Sequence, residues 1–321
     1  MTELKLINME DVEAEEIQWL WQDFIPYGKV TILQGDPGEG KTTAMLQIIA
    51  SLTTGREIIS SGSDPAIREP VNVIYQTAED GLGDTIKPRL VSAEADCSKV
   101  LVIDDSEQVL TMTDERLEEA IVETRSKLVV LDPIQAYLGA DVDMHRANEV
   151  RPVMTKLRVL AEKYRCAIVL IGHMNKSSLM KSNYRGLGSI DFSASARSII
   201  LCARMKTDPE IRVLVQQKSS LSYEATPFAF RLGKENRFQW IGECDITADE
   251  LLASDNRGTK RREAENFLKE ILAEGKISST KLVAEAEARG IREKTLRNAK
   301  AYLGTSAVKE GGIWYTDLTQ H

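Results

Sequence analysis

The chain is poor in the residues from which many reactive sites are built. Its 321 residues include only 3 histidines and 4 cysteines. Cys97, Cys166, Cys202 and Cys244 stand singly, with no C-x-x-C pair. A disulfide framework needs dense, even-numbered cysteines in a small chain, and a structural zinc site needs closely spaced ligands, so neither is expected. Cys166 and Cys202 sit in apolar runs and read as small core hydrophobes. No apolar run approaches the roughly 20 residues that a membrane helix needs. The opening Met1-Thr2-Glu3-Leu4-Lys5 also lacks the basic-then-apolar order of a signal peptide. A cytoplasmic location away from membranes is therefore expected. Basic residues are in deficit too: 41 Lys and Arg stand against 49 Asp and Glu, a net charge of −8. That excludes a generally basic nucleic-acid coat. Internal repeats and low-complexity tracts are missing as well.

What is present is ordinary globular composition, 42% hydrophobic and 28% charged. The length suits one large domain and one small one. Charge is unevenly spread: Thr259–His321 carries 12 basic and 9 acidic residues, a balance of +3 that leaves −11 for the rest. Any nucleic-acid surface is thus expected at the C-terminal end.

Apolar runs alternate with amphipathic stretches. Val30–Leu33, Val73–Tyr75, Val100–Ile103, Leu128–Leu131 and Ala167–Ile171 have the near-continuous apolar character of strands buried on both faces. Helical spacing falls between them, over Thr42–Leu52, Asp84–Ala93, Asp114–Ser126 and His145–Tyr164, with Asp143 expected to cap the last of these. This alternation predicts an α/β fold with a mostly parallel sheet. Beyond Ser189, four strand-like segments (Ser198–Cys202, Ile211–Val215, Phe228–Phe230 and Phe238–Ile241) are separated by short turns. They leave no room for crossover helices and are expected to be mostly antiparallel edge strands. Trp19, Trp21 and Phe24 read as core packing ahead of the first main strand. The expected division is a large domain over 1–250, a linker over 251–260 around the small polar stretch Ala253–Thr259, and a second domain over 261–321.

The chemistry begins at the first main strand. Gly35-Asp36-Pro37-Gly38-Glu39-Gly40-Lys41-Thr42 matches G-x-x-x-x-G-K-[ST] at every fixed position. The glycines let backbone N–H groups turn inward around phosphate oxygens, and the following helix adds its positive end. Lys41 is expected on the β- and γ-phosphates of ATP and the Thr42 hydroxyl on Mg²⁺, with Thr43 assisting. Asp132, closing the strand Leu128–Leu131, is the expected second magnesium partner. Thr77-Ala78-Glu79-Asp80 ends another strand. Glu79 is the first choice for orienting the attacking water and Asp80 the alternative.

Taken together, Ile25-Pro26-Tyr27-Gly28 before the phosphate loop, Glu79, Leu131-Asp132-Pro133 and Ile171-Gly172-His173-Met174-Asn175-Lys176 resemble the RecA-like P-loop ATPases. The nearest group is the RepA-type family of phage, plasmid and mobile-element ATPases, with hexameric helicases among its members. The likeness covers about residues 15–245. It implies a hexameric ring, ATP bound between subunits, DNA in the channel, Glu79 as catalytic carboxylate, and His173 sensing the γ-phosphate. Taken alone, a histidine after this apolar run also reads as a satisfied core histidine. The polar segment Lys176–Gly188 carries Lys176, Lys181 and Arg185, with Tyr184 able to stack on a base. A trans-acting cation is expected from Arg197 or Lys218, with Arg204 a further candidate.

Near the C-terminus, three helical patterns (Arg261–Ala273, Ser279–Ala288 and Arg292–Leu303) precede two short strands joined at Gly311-Gly312. That is the order of a winged helix. Its third helix offers Arg292, Lys294, Arg297 and Lys300 to phosphates. The expected function is a DNA-dependent ring ATPase acting as helicase or loader. A nucleotide-gated DNA-binding regulator and a recombinase-like filament former are the rival readings.

Overall fold

The structure, a computed structural model, describes residues 4, 6–60, 69–174, 190–233, 237–252, 257–273 and 275–318. The chain forms two compact units, Met1–Leu251 and Leu252–His321.

The large unit opens with a small antiparallel pair, β1 (Trp19–Trp21) and β2 (Ile25–Pro26). Next come β3 (Val30–Gly35), α1 (Lys41–Thr54), β4 (Val73–Thr77), a wide helical turn at Leu82–Ile86, α2 (Lys87–Ser92), β5 (Val100–Leu101) and α3 (Glu115–Thr124). The chain continues through β6 (Leu128–Asp132), α4 (Ala147–Tyr164), β7 (Ala167–His173), α5 (Ile190–Ser195), β8 (Ser198–Arg204), β9 (Ile211–Ser219), β10 (Phe228–Leu232), β11 (Phe238–Glu243) and α6 (Ala248–Leu252). A nine-stranded sheet has the order β11-β10-β9-β8-β3-β7-β6-β4-β5. From β8 to β5 every pairing is parallel, and from β8 outward to β11 every pairing is antiparallel.

Alternation along the buried strands supplies two cores. Leu128 and Val130 of β6 face the side covered by α1 and α2, whereas Val129 and Leu131 face the side covered by α3 and α4. Trp21 is 1% exposed, stacks on Phe24 with centroids 4.2 Å apart, and donates its indole N–H to the Ile59 carbonyl. The aromatic cluster thus closes the α1 side of the core.

Three expectations need revision. Ser198–Cys202, expected among mostly antiparallel edge strands, forms β8, which is antiparallel to β9 but parallel to β3 and so lies inside the sheet. α5 immediately precedes it and packs against α4, with Phe192 in the core on that face of the sheet. The Val100–Ile103 strand is cut to two residues. Gln76 of β4 replaces the missing ladder bonds, its amide donating to the Ile103 carbonyl and accepting from the Ile103 N–H. Asp143 does not cap α4: Arg146 holds that position, and Asp143 instead accepts from the His145 N–H.

In the small unit, α7 (Arg257–Leu272), β12 (Ile277–Ser278), α8 (Ser279–Ala288), α9 (Glu293–Tyr302), β13 (Thr305–Glu310) and β14 (Ile313–Leu318) surround a core of Phe267, Leu268, Leu282, Leu296 and Ala299. α7 begins inside the stretch expected to be linker. The Ser278 hydroxyl caps α8 by accepting from Lys281 N–H. The strands pair in the order β12-β14-β13, adding one strand to the expected pair.

Candidate functional site

β3, β4, β6 and β7 run parallel, so their C-terminal ends gather on one edge of the sheet. That edge is where an open α/β sheet places its ligand. Gly35 closes β3 because nothing larger fits: a Cβ there would lie 2.1 Å from the Cys202 carbonyl oxygen of the neighbouring β8. Asp36 and Pro37 carry the chain out, and Gly38 and Gly40 turn it back with φ of +79° and +88°. Gly40 then delivers Lys41 as the first residue of α1.

Lys41 is buried, and its ammonium donates to the Gly35 and Asp36 carbonyls, both at 2.9 Å. Burial is the main influence on this amine and lowers its pKa, opposed by nearby negative groups including Asp132. It also lies 3.3 Å from His173 Nδ1. An ammonium only donates, so Nδ1 accepts and the ring proton sits on Nε2. That nitrogen faces Glu79 Oε1 at 3.9 Å, an electrostatic contact longer than a hydrogen bond.

Thr42 and Asp132 meet directly, with Thr42 Oγ1 donating to Asp132 Oδ2 at 2.6 Å. Asp132 is 8% exposed, and burial raises its carboxyl pKa despite hydrogen bonds from Thr42 and Tyr75 that pull the other way. Tyr75 donates to the same Oδ2 at 2.9 Å. Burial, then the Asp132 charge, pushes the Tyr75 phenol far above its usual value. Thr43 follows on the first turn of α1, half-buried. Glu39 lies at the loop apex near Arg204.

The two carboxylates after β4 have different surroundings. Asp80 pairs with Arg89 at 3.1 Å, and its N–H donates to Thr77. Glu79 is 65% exposed and turned toward His173.

Arg197 and Lys218 lie elsewhere. Both sit where β8 begins and β9 ends, the opposite edge of the sheet from the phosphate loop of the same chain. Arg197 is exposed. Lys218 donates to the Ser193 and Ala196 carbonyls, and burial followed by the Arg197 charge lowers its pKa. Arg204, the third candidate, reaches the loop of its own chain and donates to the Gly38 carbonyl at 3.2 Å. Lys176, Lys181, Tyr184 and Arg185 fall outside the described residues. Arg292, just before α9, and Lys294 and Arg297 on it are exposed, and Lys300 is half-buried.

Sequence reasoning missed Tyr75 and the cis position of Arg204. Tyr75 had a signal: a hydroxyl inside the apolar run Val73-Ile74-Tyr75 must find a buried partner. Arg204 had none, because its proximity depends on β8 lying beside β3.

Comparison with known proteins agrees with this geometry. The chain matches the AAA domain family over residues 2–178, more than half its length. It is 25% identical over 169 residues to the DNA repair protein RadA of Halalkalibacterium halodurans, a stretch covering 52% of this chain and 32% of that protein. The RadA proteins of Bacillus subtilis (29% over 152 residues; 46% and 28% covered) and Escherichia coli K12 (25% over 185 residues; 54% and 35% covered) are similar too. The chain spans about a third of the length of these relatives. A KaiC-like protein from Pyrococcus horikoshii OT3 has the same core fold, with a TM-score of 0.50 at 15% identity, over 70% of this chain and 99% of that one. The large unit is therefore a RecA-like P-loop core. Among the described residues, no helix is long and apolar enough to cross a membrane.

Proposed function

The chain belongs to the AAA domain family, and on that premise we propose that it is a DNA-dependent ring ATPase of the RepA type. Its role is that of a replicative helicase or loader in a phage, plasmid or other mobile element. The observation that carries the reading is the convergence of Lys41, Thr42, Asp132, Glu79 and His173 on one sheet edge, beside a loop that turns at Gly38 and Gly40.

The donor set fits magnesium and ATP. A hydroxyl and a carboxylate in direct contact, Thr42 and Asp132, are the hard oxygen ligands that Mg²⁺ takes, directly or through water. Bound there, the cation supplies positive charge to the phosphate oxygens. The residues of the chain do the rest. The backbone of Gly35–Thr43 cradles the phosphates. Lys41 exchanges its carbonyl partners for β- and γ-phosphate oxygens. Glu79, which pairs with no arginine among the described residues, orients the water and takes its proton, while Asp80 stays committed to Arg89. His173 loses Lys41 as a partner when nucleotide arrives and carries that change into the segment that follows β7.

Arg197 and Lys218 lie at the sheet edge remote from their own phosphate loop, which suits a cation that completes the site of a neighbouring subunit in a hexamer. Lys176, Lys181, Tyr184 and Arg185 contact single-stranded DNA. The small unit is a winged helix that clamps DNA through Arg292, just before α9, and Lys294, Arg297 and Lys300 on it. DNA as the polymer is supported by the relatives, which are named as DNA repair proteins.

The test is ATP turnover and oligomer mass, each measured with and without single-stranded DNA over a range of salt. Stimulated turnover by a particle of six chains is expected. Turnover indifferent to DNA at every salt concentration rejects the motor. Duplex binding without strand displacement would instead indicate a regulator.

A further inference from the structure

The small unit presents an exposed indole on its last hairpin. Trp314 of β14 is 52% exposed, whereas Trp21 in the large unit is buried. Its direct cross-strand partner is Lys309 of β13, whose ammonium lies 5.6 Å from the ring centroid. The pair sits next to the Gly311-Gly312 turn that joins the two strands, where both glycines have positive φ.

Strand alternation sorts the hairpin into two faces. Thr316 is buried against Ser279 of α8, so its face is the helix side of the sheet. Trp314 shares that face by its two-residue spacing, and Lys309 and Ala307 share it through their pairing with Trp314 and Thr316. Tyr315, Glu310 and Asp317 fall on the other side. Lys276 confirms the sorting, since it binds the Glu310 carboxylate and also lies 5.5 Å from the Tyr315 ring centroid. Among the described side chains, the helix-side face of the hairpin therefore holds an exposed indole, a lysine and no carboxylate. α9 packs against β13, and Lys294 and Arg297 on it, with Arg292 just before it, are exposed.

We propose that this hairpin face is a stacking platform for an unpaired base at a junction between single- and double-stranded nucleic acid. The exposed indole takes any base, because every base has a π face. Lys309 moves from the ring to the adjoining phosphate; its contact with an exposed ring is weak and easily exchanged. The cations of α9 hold the duplex on the other side of the junction. The inference rests on the DNA-binding reading of the small unit and adds both the residues and the kind of structure recognised.

The experiment uses the full chain and three fluorescein-labelled probes: a DNA hairpin with a single-stranded oligo-dT tail, the same hairpin without the tail, and oligo-dT alone. Trp314→Ala is expected to weaken binding to the tailed hairpin by at least about five-fold, in line with the loss of one stacked base. Trp314→Phe should stay within about two-fold of the native chain, and both variants should bind the untailed hairpin as the native chain does. Lys309→Gln should weaken the tailed probe and reduce its salt dependence. A second readout does not depend on the alanine variant folding: the tailed probe should quench native tryptophan fluorescence, and Trp314→Phe should abolish that quench. Native binding that neither Trp314 variant alters, or native fluorescence unchanged at saturation, overturns this inference alone. No binding of any probe by the native chain overturns it together with the DNA reading.

Discussion

Replacing Tyr75 by Phe removes a single oxygen atom from the large unit, and its cost should depend on pH. Tyr75 is fully buried, and its hydroxyl donates to Asp132 Oδ2 at 2.9 Å. A hydrogen bond to an ionised partner contributes about 1.5–3 kcal/mol, against about 0.5–1.5 kcal/mol for a neutral pair. Burial already lifts the Asp132 pKa above its ordinary value. A carboxyl with a raised native pKa keeps a proton that the unfolded chain has released. It therefore costs stability as pH rises from the unfolded value of about 4 through the raised native one. Removing the Tyr75 hydroxyl lifts the native pKa further, by about one unit for each 1.4 kcal/mol lost. Y75F should thus be mildly destabilising at pH 5 and lose about 2 kcal/mol at pH 8, or about 4–8 °C in Tm for a unit of this size. Thermal unfolding of both proteins from pH 5 to 8, without nucleotide, measures this. A Tm shift that is the same at both ends of the range refutes an ionised Asp132 held by Tyr75.

Glu79→Gln should leave nucleotide affinity near native in calorimetry while slowing turnover by about 10²–10⁴-fold; Asp80→Asn should reduce turnover far less, because Asp80 serves Arg89. Gly35→Ala should lower stability by at least about 1–3 kcal/mol in urea unfolding, since the added methyl meets the Cys202 carbonyl of β8 at 2.1 Å and two paired strands must separate to admit it. Burial pushes the Cys166 and Cys202 thiols up to about 12, so alkylation of the folded chain at pH 8 should modify Cys97 and Cys244 and spare those two until the chain unfolds.

The phosphate loop was legible because its chemistry is local. Glycines at fixed spacing, a lysine and a threonine act through the backbone they occupy, so their order alone announces the turn. The buried parallel strands were legible because burial on both faces demands unbroken apolar runs such as Leu128–Leu131. Gln76 is different. Its role in extending the pairing of β4 with β5 depends on how close two strands lie, and no local pattern encodes that. The same holds for the choice between Glu79 and Asp80. The two are adjacent in sequence and alike in chemistry, and they part only where Arg89 folds back onto one of them.

By itself, then, the order of residues determined the α/β class, the position of the nucleotide loop and the strand ends that face it, because each follows from periodicity or from a contiguous motif. Tertiary structure alone decided which groups share an atom, as Thr42 and Tyr75 share Asp132 Oδ2. It alone set Arg204 on its own loop and Arg197 at the far edge of the sheet. Those outcomes depend on strand order and on side-chain reach across the sheet, quantities fixed only when segments far apart in the chain are packed side by side.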